Sequence, residues 1–203
     1  MATLGAMLGK ARGQGMREAE GVTRVGVTVT FLRMTERPHA PHPALPPNAE
    51  IRRLRFPTND EYRALQMKVG QPHLWWLRRV MPDAELSAVL RSPQVAIHLL
   101  HLDGEEAGFY ELDATSWPYI NLNYFGLMPH AIGRGLGTAF LHHAIANAWS
   151  GPIRGMTVNT CTADHPRALP SYERAGFRRT RAIKEIWNIP DHLGFTIPDH
   201  LKV

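Results

Sequence analysis

Apolar and polar positions along the chain switch between two periods, and the switches lay out a mixed α/β domain. Residues 25–32 set Val25, Val27 and Val29 against Thr28 and Thr30, the two-residue alternation of a half-buried strand. A shorter alternation covers 50–55, and the two runs are expected to pair or to share one edge. Between them, residues 37–48 carry five prolines. Fixed φ angles and missing N–H groups make that stretch a connector.

The period then lengthens. Thr58 and Glu61 have the spacing of a capping box, and Tyr62, Leu65 and Val69 follow at helical intervals up to Gly70. A second helix is expected over 83–92, with Leu86, Val89 and Leu90 on one face and Pro93 closing it. Runs 95–102, 107–112 and 119–128 have strand length, and Asp103-Gly104 is a hairpin turn that makes the first two antiparallel. Leu136, Phe140, Leu141, Ala144, Ile145 and Ala148 mark an amphipathic helix through Trp149. A strand over 155–162 then implies a parallel crossover. Asp164 or His165 caps a last helix holding Ala168, Leu169 and Tyr172, with Pro170 either in its first turn or kinking it and Gly176 ending it, before a final strand over 177–189. The fold class is α/β with a mixed sheet. The expected divisions are a flexible tail (1–24), an edge strand and connector (25–49), the main domain (50–189) and a C-terminal extension (190–203).

The connection between strand 119–128 and its helix, residues 128–138, holds glycines at alternate positions: Gly133, Gly135 and Gly137. Glycine permits positive φ and close backbone approach, and the first-turn N–H groups of a helix offer positive partial charge to a phosphate. The spacing fits neither the dinucleotide fingerprint nor the P-loop. It is a shorter cradle, and chemistry is sought there first.

Two separated motifs in this order resemble those of the Gcn5-related N-acetyltransferases over most of residues 50–189. In that family a Gln/Arg-x-x-Gly-x-Gly/Ala loop holds the pyrophosphate of acetyl-coenzyme A, and a later helix carries Asn-x-x-Ala-x-x-x-Tyr before Gly-Phe. Gly135-Leu136-Gly137 fits the first, and Ala168, Tyr172, Gly176 and Phe177 fit the second. Ile132 stands where the family has Gln or Arg, with Arg134 as a substitute charge, and His165 stands where it often has Asn. The resemblance implies a mostly antiparallel sheet with a splayed parallel pair flanked by helices. It also implies acetyl-coenzyme A as cosubstrate, held by Leu127, Met128, Ile132, Gly133, Arg134, Gly135, Leu136, Gly137, Thr138, His165, Ala168 and Tyr172.

The implied reaction is direct attack by a primary amine of a small molecule or a protein. The amide of Leu127, or failing it that of Met128, would polarise the acyl carbonyl, and Tyr172 would hydrogen-bond or protonate the departing thiolate. Keeping an amine of pKa about 10.4 neutral near pH 7 costs about 4 to 5 kcal/mol, so a base or desolvation is required. Glu111 is the first candidate and Asp113 the second. Trp75, Trp76, Glu111, Asn123, Tyr124 and Asn159 are the candidate acceptor contacts. A non-catalytic acyl-coenzyme A binding module of the same fold is the alternative.

Composition narrows the classes further. A net charge of +5 favours acidic ligands, but the arginines are scattered without a basic block, so no nucleic-acid partner is expected. No apolar run reaches the roughly 20 residues of a membrane span. The single cysteine, Cys161, excludes an intrachain disulfide, reads as a packing residue and fits a cytoplasmic protein. No metal-ligand spacing occurs: His142 and His143 are neighbours on a helix, and His98 and His101 fall on opposite strand faces. A homodimer is the candidate assembly.

Overall fold

The computed structural model describes residues 21–39 and 43–203. Its strands are β1 (Val22–Met34), β2 (Ala49–Leu54), β3 (Val95–Leu102), β4 (Glu105–Asp113), β5 (Tyr119–Leu127), β6 (Gly155–Cys161) and β7 (Arg178–Pro190). Its helices are α1 (Asn59–Gly70), α2 (Leu77–Val80), α3 (Asp83–Arg91), α4 (Leu136–Ala148) and α5 (Ala168–Arg174). One sheet of seven strands runs β2-β3-β4-β5-β6-β1-β7. Among the described strands only β5 and β6 pair in parallel. Among the described residues no helix is long and apolar enough to cross a membrane.

Local chemistry sets the elements that frame the site. The capping box forms: Thr58 Oγ1 accepts from the Glu61 amide at 3.2 Å, and Glu61 Oε2 accepts from the Thr58 amide at 2.7 Å. The β3–β4 hairpin closes on Asp103 and Gly104 at φ 53° and 83°, the positive pair that a tight two-residue turn requires. Helix α4 buries Leu136, Phe140, Leu141, Ala144 and Ile145 against one sheet face, with Tyr172 and Phe177 in the same core. The other face is covered twice. Tyr62, Leu65, Val69, Leu86 and Leu90 pack on Phe109 and Ile97, while Leu74, Trp76 and Leu201 pack on Val25, Val27, Val29 and Trp187.

The N-terminal strand differs from expectation. It begins at Val22, inside the expected tail, and it is neither an edge strand nor a partner of β2. It lies between β6 and β7, antiparallel to both, with β2 at the opposite edge of the sheet. The reason is two-sided burial. Ordinary alternation along the strand sends Val25, Val27 and Val29 into one core and Leu32 and Met34 into the other, and the register shift at Phe31/Leu32 is taken up by β7, where Thr180 is the extra residue. The first 20 positions of the expected tail lie outside the described residues.

A polar cluster under α4 gives the fold an acid limit. His98 stacks on the Tyr110 ring at 4.7 Å, its Nε2 lies 3.1 Å from Asn147 Nδ2, and Tyr110 Oη lies 3.0 Å from His143 Nδ1. Burial, helped by His143 and Arg53, lowers His98 to about 4. The folded state therefore prefers neutral imidazole, whereas an unfolded histidine titrates near 6.5. The resulting stability is present above pH 6.5 and lost as pH falls toward 4, up to about 3 kcal/mol. Thermal melts from pH 8 to 4 should show the midpoint falling below pH 6.5, with a shallower fall for His98→Gln. An unchanged slope in that variant would assign the acid sensitivity elsewhere.

Candidate functional site

Strand pairing creates a fork in the sheet. β5 and β6 are in register only from Tyr119/Gly155 to Leu122/Val158. Beyond that apex β5 stays bonded to β4 as far as Leu127, and β6 stays bonded to β1 as far as Cys161. Asn123 follows the apex directly. It is the extra residue of a bulge, because Glu111 pairs with Tyr124 while Leu112 pairs with Leu122. Past the bulge, backbone amides alternate sides along a strand. The Met128 amide donates to Ala107 O at 2.8 Å, which occupies it. The amides of Leu127 and Phe125 are therefore turned to the open side of the fork.

The glycine loop borders this opening. After a 3-10 turn at Pro129–Ala131, Gly133 and Gly135 adopt φ 84° and 77°, and Gly135 is the N-cap of α4. Among the described residues, chain neighbours aside, no atom lies within 4 Å of where a side chain would begin on either glycine. Ile132, Arg134 and Thr138 are exposed, and Leu136 is buried beneath them. A Cβ on Gly137 would lie 3.7 Å from Leu127 Cδ1, which ties the loop to the end of β5. The first-turn N–H groups of a 13-residue helix thus border open space. Arg134 is held only loosely, 3.9 Å from the exposed carboxylate of Asp103.

Two side chains reach across the fork, one on each face. Tyr172 of α5 packs against Phe125 of β5 at 6.4 Å and Phe177 at 6.0 Å, with Ala168 at the edge of the same core. Burial, reinforced by Asp164, raises the Tyr172 phenol well above its usual range. His165 caps the turn before α5, its Nδ1 accepting from the Arg167 amide at 3.1 Å. On the other face Trp75 Nε1 donates to Asp164 Oδ1 at 3.3 Å. Asp164 Oδ2 is held by Thr160 Oγ1 at 2.7 Å and the Cys161 amide at 2.9 Å. Trp75 packs on Tyr124 at 5.1 Å and Phe109 at 6.0 Å. It fits because Gly70 and Gly126 lack side chains: a Cβ on Gly126 would run into Val69 and lie 3.2 Å from the indole. Trp76 is not beside it; it is buried with Val25, Val27 and Trp187.

Beneath the bulge lies a buried polar network. Glu111 is wholly buried and accepts from Tyr62 Oη, from Arg78 at 2.9 Å and from Asn123 Nδ2 at 2.9 Å, while Gln66 Nε2 donates to Tyr62 Oη at 2.8 Å. Burial works to lower Arg78, but Glu111 beside it wins and holds the guanidinium above its usual range. Burial pushes Tyr124 up to about 12. Asp113 is half-buried and less enclosed: it accepts from Asn123 Nδ2 at 3.2 Å and from the Thr115 amide at 2.8 Å. Asn121 Nδ2 donates to Asn123 Oδ1, and Thr157 Oγ1 donates to Asn121 Oδ1 at 2.8 Å, so a polar ladder crosses the apex from β4 to β6. Asn159 is the first β6 residue past the apex. The sequence reading did not single out Tyr62, Gln66, Arg78 or Asp164 for the site. Only the one-turn spacing of Tyr62 and Gln66 on α1 signals any of them. Among the described residues no group of three or more His, Cys, Asp and Glu side chains could hold a metal ion.

This architecture is that of the GCN5-related N-acetyltransferases. A GCN5-related N-acetyltransferase from Sphaerobacter thermophilus matches at a TM-score of 0.57 and 17% identity, over 84% of this chain and 54% of its own. One from Kribbella flavida matches at 0.54 and 16%, over 81% and 60%. A tandem GNAT protein from the clavulanic acid biosynthesis pathway matches at 0.55 and 18%, over 82% and 55%. The chain thus spans between half and two thirds of the length of these structures. No family model and no curated protein matches the sequence. At these identities the likeness is one of fold.

Proposed function

We propose, from a chain with the GCN5-related N-acetyltransferase fold, that it transfers an acetyl group from acetyl-coenzyme A to a primary amine within a ternary complex. The observation that carries the reading is the fork between β5 and β6, which opens beside a helix N-terminus with two positive-φ glycines facing unfilled space. These features fit the coenzyme: the first turn of α4 and Arg134 would hold its pyrophosphate, and the turned-out amides of β5 would hold its pantetheine arm. When bound, it supplies the thioester whose acyl carbon the amine attacks, with a C–N bond forming as the C–S bond breaks and the thiolate leaves.

The chain's own groups would do the rest. Of the two turned-out amides, that of Leu127 lies beside the glycine loop and would hold the arm. The Phe125 amide, nearer the apex and packed on by Tyr172, therefore donates toward the charge developing on the acyl oxygen in place of the expected Leu127 amide, an effect typically worth roughly 3 to 4 kcal/mol. Tyr172 acts as a hydrogen-bond donor to the sulfur rather than as an acid, because burial raises a phenol that already starts about 1.5 units above a thiol. Glu111, whose oxygens are committed to three donors, is the fixed anion that orients Asn123 and Arg78. Asp113 retains access to solvent and takes the amine's proton through a water. Tyr124, Trp75, Asn123 and Asn159 border the acceptor.

Tyr172→Phe tests the reading. Turnover should fall about 10- to 100-fold, the loss of one hydrogen bond to a charged group, while calorimetric affinity for acetyl-coenzyme A stays within about threefold. The enclosure of Glu111 favours a second reading, a non-catalytic acyl-coenzyme A binding module. Binding without transfer to any amine in a broad screen would establish that reading instead.

A further inference from the structure

The same sheet face carries, on β1, a cation with no carboxylate partner among the described residues. Arg33 of β1 lies level with Thr157 of β6, and its guanidinium sits over the Tyr119 ring at 5.2 Å, the first residue of β5. Gly155 makes this possible, since a Cβ there would lie 3.1 Å from the Tyr119 ring. Arg33 is half-buried, and its Nε is buried with no hydrogen-bond partner. Among the described residues the other arginines removed from solvent each have hydrogen-bond partners, although the Nε of Arg63 is also without one. Arg63 bonds Met81 O and Asp83, Arg78 bonds Glu111, and Arg79 bonds Gln71 and Leu193 O. Among the described residues no carboxylate stands within 4 Å of Arg33. A partly desolvated guanidinium without an anion is unfavourable, and its planar fork matches a carboxylate.

A second arginine shares the face. Arg181 of β7 lies opposite Phe31 of β1, two residues before Arg33, and sits over the Phe31 ring at 4.4 Å. Beside this pair the sheet runs level from Arg33 through Thr157 and Asn121 to Asp113, with Arg181 and Phe31 level with Asn159, and the ladder of Thr157, Asn121 and Asn123 joins the two sides at the apex of the fork. The two ends are separated across the strands: three spacings of about 4.8 Å put the Arg33 and Asp113 backbones about 14 Å apart, a span that the Arg33 side chain shortens by reaching the Tyr119 ring of β5. The groove is therefore positive at one end and carboxylate-lined at the other, with amide and hydroxyl groups between.

We infer that the acceptor is an amine that also carries a carboxylate, seated by Arg33 and Arg181 while its nitrogen lies at Asn123 and Asp113. This rests on the acyl-transfer reading and adds the substrate class to it. The test compares matched acceptors with and without the carboxylate: lysine against cadaverine, and 5-aminopentanoate against pentylamine, each with acetyl-coenzyme A. The expected result is at least a tenfold higher kcat/KM for the carboxylate-bearing member of each pair. Arg33→Ala should reduce that ratio below about threefold, chiefly through KM, and Arg33→Lys should keep part of it.

Equal rates for the paired acceptors, or a preference that survives Arg33→Ala, would overturn the inference. Calorimetric titration with 5-acetamidopentanoate and N-pentylacetamide separates it from the reading beneath it. If the carboxylate compound binds through Arg33 while acetyl-coenzyme A does not bind, the anion seat stands and the transfer reading falls. If the coenzyme binds and neither acetamide is distinguished, the seat falls alone.

Discussion

Gly135→Glu is expected to weaken acetyl-coenzyme A binding more than 100-fold while leaving the protein folded. Gly135 holds φ 77° at the N-cap of α4, and among the described residues, chain neighbours aside, no atom lies within 4 Å of a would-be Cβ. A side chain there meets no clash, only the backbone strain of a left-handed residue, about 1 to 2 kcal/mol. Its carboxylate, however, stands where the first-turn amides would meet a pyrophosphate. Like charges at about 4 Å near a protein surface repel by about 4 kcal/mol, and the variant also blocks the approach of the phosphates to the amides. Gly135→Asn, which tolerates positive φ and adds no charge, should bind within about tenfold of the unmodified protein. Calorimetry and thermal melts on the three proteins decide it. Equal affinity for Gly135→Glu would make the loop an ordinary strand-to-helix corner.

Glu111→Ala should destabilise the fold by about 3 to 5 kcal/mol, because it strands the buried Arg78 guanidinium and leaves Tyr62 and Asn123 without their acceptor. For a chain of this size the melting midpoint drops by roughly 10 °C. Pairing Glu111→Leu with Arg78→Met removes both charges and should recover most of the loss, since buried ion pairs contribute little beyond a well-packed apolar pair. A Glu111→Ala protein of unchanged stability but lost turnover would contradict the role of fixed anion. It would restore Glu111 as the proton acceptor.

The contrast between Glu111 and Asp113 shows what a sequence can carry. Both are acidic residues of one strand, two positions apart, and alternation puts them on the same face. Nothing in their spacing reveals that Arg78, from a single-turn helix, and Tyr62, from the first long helix, converge on one of them. That convergence is a tertiary fact. The same holds for Asp164, whose bond to Trp75 joins residues 89 positions apart.

The capping box at Thr58, the Asp103-Gly104 hairpin and the apolar face of α4 were legible because local chemistry alone sets them. The strand at 22–34 was legible as a strand but not in its place, because strand order depends on which faces other elements leave uncovered. The consecutive apolar pair Phe31-Leu32, where the alternation breaks, was the one local sign that both of its faces are buried.

The central claim is that coenzyme binds along the fork and across the glycine loop. Amide hydrogen exchange of the full chain, with and without saturating acetyl-coenzyme A, tests it most directly. The account predicts slowed exchange concentrated in residues 123–127 and 133–138, with β7 and residues 191–203 unchanged. Slowed exchange confined to other segments, or none at saturation, would contradict it.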